Sequence, residues 1–276
     1  MPAARSIVAV LAAALLCASA GDEAEPTRIA VANADTIVVM RADGTARRIL
    51  RTLPMIGGDV ALSSDRRTVA YASLTGIRLV DAATGRSSRL RTPPGVAIDP
   101  IFARRSRTLY FLHSPSSTRV RYDLWSSALS GRLTRHTRGA DLQMIDVSAD
   151  ERRVVFARDF SERGGRIYVA GLDARAARQI ATGFNPSLSP DGRQVVYTAD
   201  DGIRLVGVEG GRSRLVGSRG DHATFSPDGS SLAFLDYTRC LDHAYCLQRV
   251  FVAPAAGGRA RPAGPELADP GRLAWR

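Results

Sequence analysis

Cys240 and Cys246 enclose His243 in a Cys-x2-His-x2-Cys spacing, in which two thiolates and an imidazole could hold a zinc ion. The same pair of cysteines supports other chemistry, a disulfide that pins a long hairpin. No fourth ligand stands nearby, and thiols in an oxidising compartment oxidise, so the disulfide is the expectation. Closing so short a loop would stabilise the fold by about 2–3 kcal/mol. A second constellation is spread along the chain. Asp59, Asp99, Met144, Asn185, His222 and Arg272 recur about forty residues apart, each just before a short apolar segment. If the fold brings them together, Asp59, Asp99, Asn185 and His222 offer two carboxylates, an amide and an imidazole to a cation or a small polar ligand. Asp and Asn before a strand also cap turns and bond neighbouring backbone, which needs no ligand at all. No metal ion or cofactor is expected on balance.

Catalytic patterns are thin. There is no Gly-x-Ser-x-Gly elbow. His113 stands ahead of Ser114-Pro115-Ser116-Ser117, which is expected to be an interblade or hairpin loop, and His136 stands among Arg132, Arg135 and Arg138; neither has a carboxylate at triad spacing. All 38 basic residues are arginine, so Schiff-base lysines and a phosphate-loop lysine are excluded.

The elements that would position these residues are legible as repeats. Ser189-Pro190-Asp191-Gly192 leads into Val195-Val196-Tyr197, and Ser226-Pro227-Asp228-Gly229 leads into Leu232-Ala233-Phe234. Pro presets φ at the second position of such a turn, Asp tolerates the third, and Gly relieves the exit. Weaker copies follow Asp59, at Ser63-Ser64-Asp65-Arg66, and Met144, at Ser148-Ala149-Asp150-Glu151, and one starts near Asp99. Each copy continues into a second apolar strand, such as Ile77–Val80 or Ile203–Val206, then a turn at Gly85, Gly131, Gly210-Gly211 or Gly257-Gly258, and a short basic strand. The third copy turns on Asp173-Ala174 instead. Four short antiparallel strands per copy, with nearly continuous apolar runs, describe sheets packed on both faces. Residues 28–32, 36–40 and 46–50 supply three strands of a further unit, and Arg272 to Arg276 its missing inner strand. The fold class expected is therefore all-β, a six-bladed β-propeller of four-stranded antiparallel blades, closed by N- and C-terminal strands in one blade. An alternative alignment places Trp275 in a second strand.

The turn motif, the aromatic-ended strand after it and the number of units resemble the TolB-type, WD-repeat-like β-propeller family across nearly all of residues 28–276. That resemblance implies an exported interaction module, since the family's type protein docks other proteins in the bacterial cell envelope. It also implies that His222 could be the structural histidine such repeats place between blades. The type protein carries an α/β domain ahead of its propeller, for which this sequence has no expected room.

Export is read independently from residues 1–20. Arg5 precedes the apolar stretch Ile7–Leu16, and Ala18-Ser19-Ala20 forms a cleavage site before Gly21. Residues 21–27 then form a short linker. Lipid attachment at Cys17 is disfavoured by Leu16 before it, and the apolar stretch is too short to span a bilayer. The formal net charge of +11 could attract an anionic envelope surface. Its arginines are scattered and aromatics are only 6%, which argues against nucleic acid as a partner. The reading is a monomeric, exported, non-enzymatic module for a protein or an envelope polymer. Its rivals are a channel-mouth metal-dependent hydrolase or lactonase using Asp59, Asp99 and His222, and a glycan or solute binder.

Overall fold

A serine hydroxyl and an aspartate two residues on build the recurring turn. The computed structural model describes residues 27–276 except 34, 53, 119, 162–163, 241–245 and 269. The expected signal sequence, Cys17 and His243 therefore lie outside the described residues. Ser189 Oγ donates to Asp191 Oδ1 at 2.5 Å and accepts from Gln194 N at 2.9 Å, while Asp191 Oδ1 accepts from Arg193 N at 3.0 Å. Ser226 and Asp228 repeat this geometry with Ser231 and Ser230. So do Ser63 with Asp65, and Ser148 with Asp150, where proline and glycine are missing. In those two copies the left-handed fourth position is taken by Arg66 (φ 58°) and Glu151 (φ 56°). The hydroxyl–carboxylate pair thus recurs with or without proline and glycine, while the corresponding turn at Ala103-Arg104-Arg105-Ser106 forms without it, Ala103 N donating to the Thr108 carbonyl.

These turns order the strands. Residues Arg28–Asn33 (β1), Thr36–Arg41 (β2) and Arg48–Arg51 (β3) form an antiparallel meander. A second meander holds β4 (Met55–Leu62), β5 (Thr68–Ser73), β6 (Gly76–Asp81) and β7 (Ser87–Arg89). A third holds β8 (Val96–Phe102), β9 (Thr108–Ser114), β10 (Asp123–Ala128) and β11 (Leu133–Arg135). Next come β12 (Gln143–Val147), β13 (Arg153–Ser161), β14 (Gly164–Gly171), β15 (Arg178–Leu188), β16 (Gln194–Ala199), β17 (Gly202–Gly207) and β18 (Arg214–Gly217), hydrogen-bonded in that order. The last meander is β19 (Asp221–Phe225), β20 (Ser231–Cys240), β21 (Cys246–Pro254) and β22 (Arg261–Ala268). Finally β23 (Ala274–Trp275) pairs with β1, Trp275 opposite Ile29. Trp275 is thus in an innermost strand. No helix occurs among the described residues.

The seven-stranded sheet departs from the sequence expectation of separate four-stranded units. Strand β15 pairs with β14 through Arg178 to Gly183 and with β16 from Phe184 onward. One strand therefore ends one meander and begins the next. Gly183 makes the passage: a Cβ there would stand 2.2 Å from the Thr198 carbonyl oxygen.

Apolar clusters lie between successive meanders. Ile37, Leu50 and Leu62 pack β1–β3 on β4–β7, and Ala70, Phe102 and Phe111 pack the latter on β8–β11. Tyr110, Ile145 and Phe156 continue the series, as do Val155, Leu188 and Tyr197, then Val196, Phe225 and Phe234. Val250, Val252, Met40 and Trp275 join β19–β22 to the sheet of β1 and β23. Strands such as β1, β5 and β9 are buried along both faces, which explains their uninterrupted apolar sequence.

Ser189→Ala removes the hydroxyl that satisfies Gln194 N and holds Asp191. Denaturant unfolding should show a loss of about 1–3 kcal/mol, whereas an unchanged midpoint and slope would show that the hydroxyl–carboxylate pair is dispensable.

Candidate functional site

Four of the innermost strands carry an irregularity at the same place. Pairing shifts between Ile98 and Ile101, Gln143 and Asp146, Phe184 and Ser187, and Asp221 and Thr224. At these bulges Asp99, Met144, Asn185 and His222 adopt φ of 49–53°. Asp, Asn and His are the non-glycine residues that tolerate this left-handed conformation best. Part of the polar character of the ring therefore has a backbone cause. In β4 the strained position is Gly58 (φ 68°), which frees Asp59 from it.

The structure divides the sequence-derived ring into two groups. Arg272, from the segment before β23, organises the first. Its Nη1 donates to Asp99 Oδ1 at 2.7 Å and to the Ile145 carbonyl at 2.6 Å, and its backbone N donates to Asp59 Oδ1 at 3.2 Å. Asp99 Oδ2 accepts from Ile145 N at 2.8 Å. One guanidinium thus links β23 to β8 and β12, with β4 held by the adjoining backbone. Burial pushes the Asp99 carboxyl up to about 7; Arg272 opposes that shift, while the charges of Asp59 and Asp146 add to it. The Asp99 side chain is only 4% exposed, with both oxygens engaged, so it cannot exchange a proton with a substrate in this arrangement.

Asn185 and His222 belong to the second group, around Asp221, a residue the sequence reading missed. Asp221 Oδ1 accepts from Asn185 Nδ2 at 2.9 Å, Thr198 Oγ1 at 2.7 Å and His222 N at 2.6 Å. Its Oδ2 lies 3.2 Å from His222 Nδ1. Burial works against the Asp221 anion, but the His222 imidazole and the Thr198 and Asn185 hydrogen bonds outweigh it and hold the carboxyl well below its usual range. Met144 contributes its sulfur, 3.4 Å from Asn185 N.

Between these groups is a narrow cavity of about 30 Å³, to which every innermost strand contributes. Two residues beyond each bulge a further tier lines it, apolar at Ala61, Ile101 and Ala274 and polar at Asp146, Ser187 and Thr224. Asp146 Oδ2 accepts from Ser187 Oγ at 2.9 Å and Leu188 N at 2.8 Å, and Oδ1 from Val147 N at 2.8 Å. The sequence contained a signal for this tier, because the position after next turns polar in three consecutive copies. Arg104 and Arg276, also in the lining, stand at repeat positions that other copies fill with small residues or proline.

The remaining sequence candidates lie elsewhere. His113 is buried in β9, ahead of the expected loop, with Nε2 3.1 Å from the Pro94 carbonyl oxygen and its ring edge-on to Trp125. His136 Nε2 lies 2.8 Å from Ser126 Oγ, and burial lowers its pKa. Cys240 and Cys246 face each other across the end of the β20–β21 hairpin and are joined by a disulfide. Among the described residues no group of three or more His, Cys, Asp or Glu side chains is gathered as a metal site.

No protein-family model matches the chain, and no curated protein does. Solved structures do. TolB from Acinetobacter baumannii superposes with a TM-score of 0.70 at 19% identity, over 90% of this chain and 66% of that one. The chain thus spans just under two thirds of that protein's length. The putative TolB of Agrobacterium tumefaciens gives 0.66 at 14% identity, over 91% and 98%. An oligogalacturonate lyase in complex with manganese gives 0.56 at 15%, over 83% and 70%. The fold is a TolB-like β-propeller.

Arg272→Met leaves Asp99 buried without its partner, and unfolding should register a loss of about 3–5 kcal/mol. The sign of its pH dependence follows from the raised Asp99 pKa: the native state binds a proton that the unfolded state releases, so stability is retained below the unfolded carboxyl pKa and lost as pH rises through the folded one. The variant should therefore be more damaged at pH 8 than at pH 5. A loss equal at both pH values contradicts the pairing.

Proposed function

We propose that the chain is a closed six-bladed propeller that works as an exported, non-enzymatic binding module, docking a protein or an envelope polymer over one mouth of its channel. β15 is then shared between two blades, and β23 completes the blade begun by β1. The observation that carries this reading is that the carboxylates Asp99 and Asp221 at the channel mouth are committed to neighbouring groups. Asp99 is held by Arg272 and by Ile145 N, and Asp221 by Asn185, Thr198 and His222 N. Such an arrangement holds a surface rigid and presents it; catalysis would need a group free to take or give a proton. The likeness in fold to TolB proteins supports an envelope role, and the Cys240–Cys246 disulfide supports an oxidising compartment. No helix among the described residues is long and apolar enough to cross a membrane.

A second reading draws on the manganese-bound lyase, whose fold is similar. It would use Asp59, Asp99 and His222 around a cation. It places a cation beside a carboxylate that the Arg272 guanidinium already engages at 2.7 Å, so the two like charges would repel there.

Photo-crosslinkers at His222, by the channel mouth, and at Ile49, 66% exposed on the outer strand β3, separate the readings in the native envelope. Metal analysis is made on the same purified protein. A partner captured from position 222 and not from 49, on a chain free of stoichiometric metal, is the expected result. Stoichiometric manganese lost in His222→Ala, with no site-dependent capture, would replace this reading with the enzymatic one.

A further inference from the structure

The opposite end of the cavity is built differently. Arg104 and Arg276 line both the inner cavity and a second, more open one of about 240 Å³. That outer cavity opens among the recurring turns, at Ser64, Ala149, Pro190 and Pro227, and Arg66 and Arg105 stand on its rim. No acidic side chain is among its lining residues.

The two inner guanidiniums are anchored by backbone carbonyls. Arg104 Nη2 donates to the Leu188 carbonyl at 3.2 Å. Arg276 donates from Nη1 to the Trp275 carbonyl and from Nη2 to the Phe102 carbonyl, both at 2.9 Å. These bonds fix both groups and leave donors over: the buried Nε of each has no hydrogen-bond partner. A guanidinium carries five donors in a planar fork, and buried donors of this kind ordinarily find an acceptor. The nearest carboxylate, Asp146, already accepts from Val147 N, Ser187 Oγ and Leu188 N. Two fixed like charges side by side, facing a cavity without an anion of its own, make a site that is incomplete as it stands.

We propose that Arg104 and Arg276 form a binding site for a single oxyanion group, a carboxylate or a phosphate, which enters the channel from the side of the recurring turns. Arginine suits this task because its fork matches both groups in a bidentate manner. The electrostatics agree. Burial, with the neighbouring Arg104 charge next, lowers the Arg276 pKa to about 9 against the pull of Asp146. Burial likewise lowers Arg104. A bound oxyanion would reverse both shifts. This inference goes beyond the docking reading and holds whether or not a protein covers the other mouth.

Calorimetric titration of the whole protein with inorganic phosphate and with acetate, at pH 7.5 and an ionic strength fixed with sodium chloride, tests it. Saturable one-site binding of at least one probe is expected. Arg104→Gln should weaken it about tenfold or more, equivalent to about 1.4 kcal/mol, and the exposed Arg212→Gln should leave it unchanged. Arg104→Lys retains charge but not the fork, and it serves if the glutamine variant does not fold; weakened binding is again expected. Tighter acetate would assign a carboxylate ligand, and tighter phosphate a phosphate. Failure of both probes to bind wild type saturably, or equal binding after the Arg104 substitutions, overturns the proposal.

Discussion

Two backbone hydrogen bonds join the ends of the described chain. Arg28 N donates to the Arg276 carbonyl at 2.6 Å, and Arg276 N returns a bond to the Arg28 carbonyl at 2.9 Å. They set β23 against β1, bring Trp275 into the cluster with Val250 and Val252, and put Arg272 at the head of an innermost strand. Everything at the channel mouth depends on that placement. Without β23 the β1 edge would be unpaired, and the Asp99 carboxylate would lose the guanidinium that offsets its burial. The short contact of Gly271 with Gly58, where a Cβ would meet backbone oxygen at 2.2 Å, shows how closely this segment is seated.

A second constraint is the bulge repeated in the inner strands. It turns each strand where it meets its neighbours round the channel and selects residues able to adopt positive φ. The polar ring is consequently a product of the backbone first. Its side chains are then used to bind one strand to another: Asp99 to Ile145 N, Asp146 to Leu188 N, Asn185 to Asp221. The donors these commitments leave over are at the other end, on Arg104 and Arg276.

The repeated Ser-x-Asp turn made most of the architecture legible from sequence, because a local hydrogen-bonded device recurs with its flanking strands intact. The positions of Asp59, Asp99, Met144, Asn185, His222 and Arg272 were legible for the same reason. Their partners were not. Asp221 stands beside His222 in sequence, but its role depends on Asn185 and Thr198 from another meander. Arg104 occupies a turn position that is proline in two other copies, so alignment marks it as a departure without saying where the side chain goes. The continuity of β15 was missed because the strand runs on through Gly183, Asn185 and Pro186, residue types that ordinarily interrupt one.

Amide hydrogen exchange of Arg28 and Arg276 in the intact protein tests the joining of the two ends most directly, since each amide is bonded to the other residue's carbonyl. The account predicts that both exchange only on global unfolding, with the same protection as the core strands β5 and β9. Exchange of either amide as fast as in a frayed terminus, while the core remains protected, would contradict it.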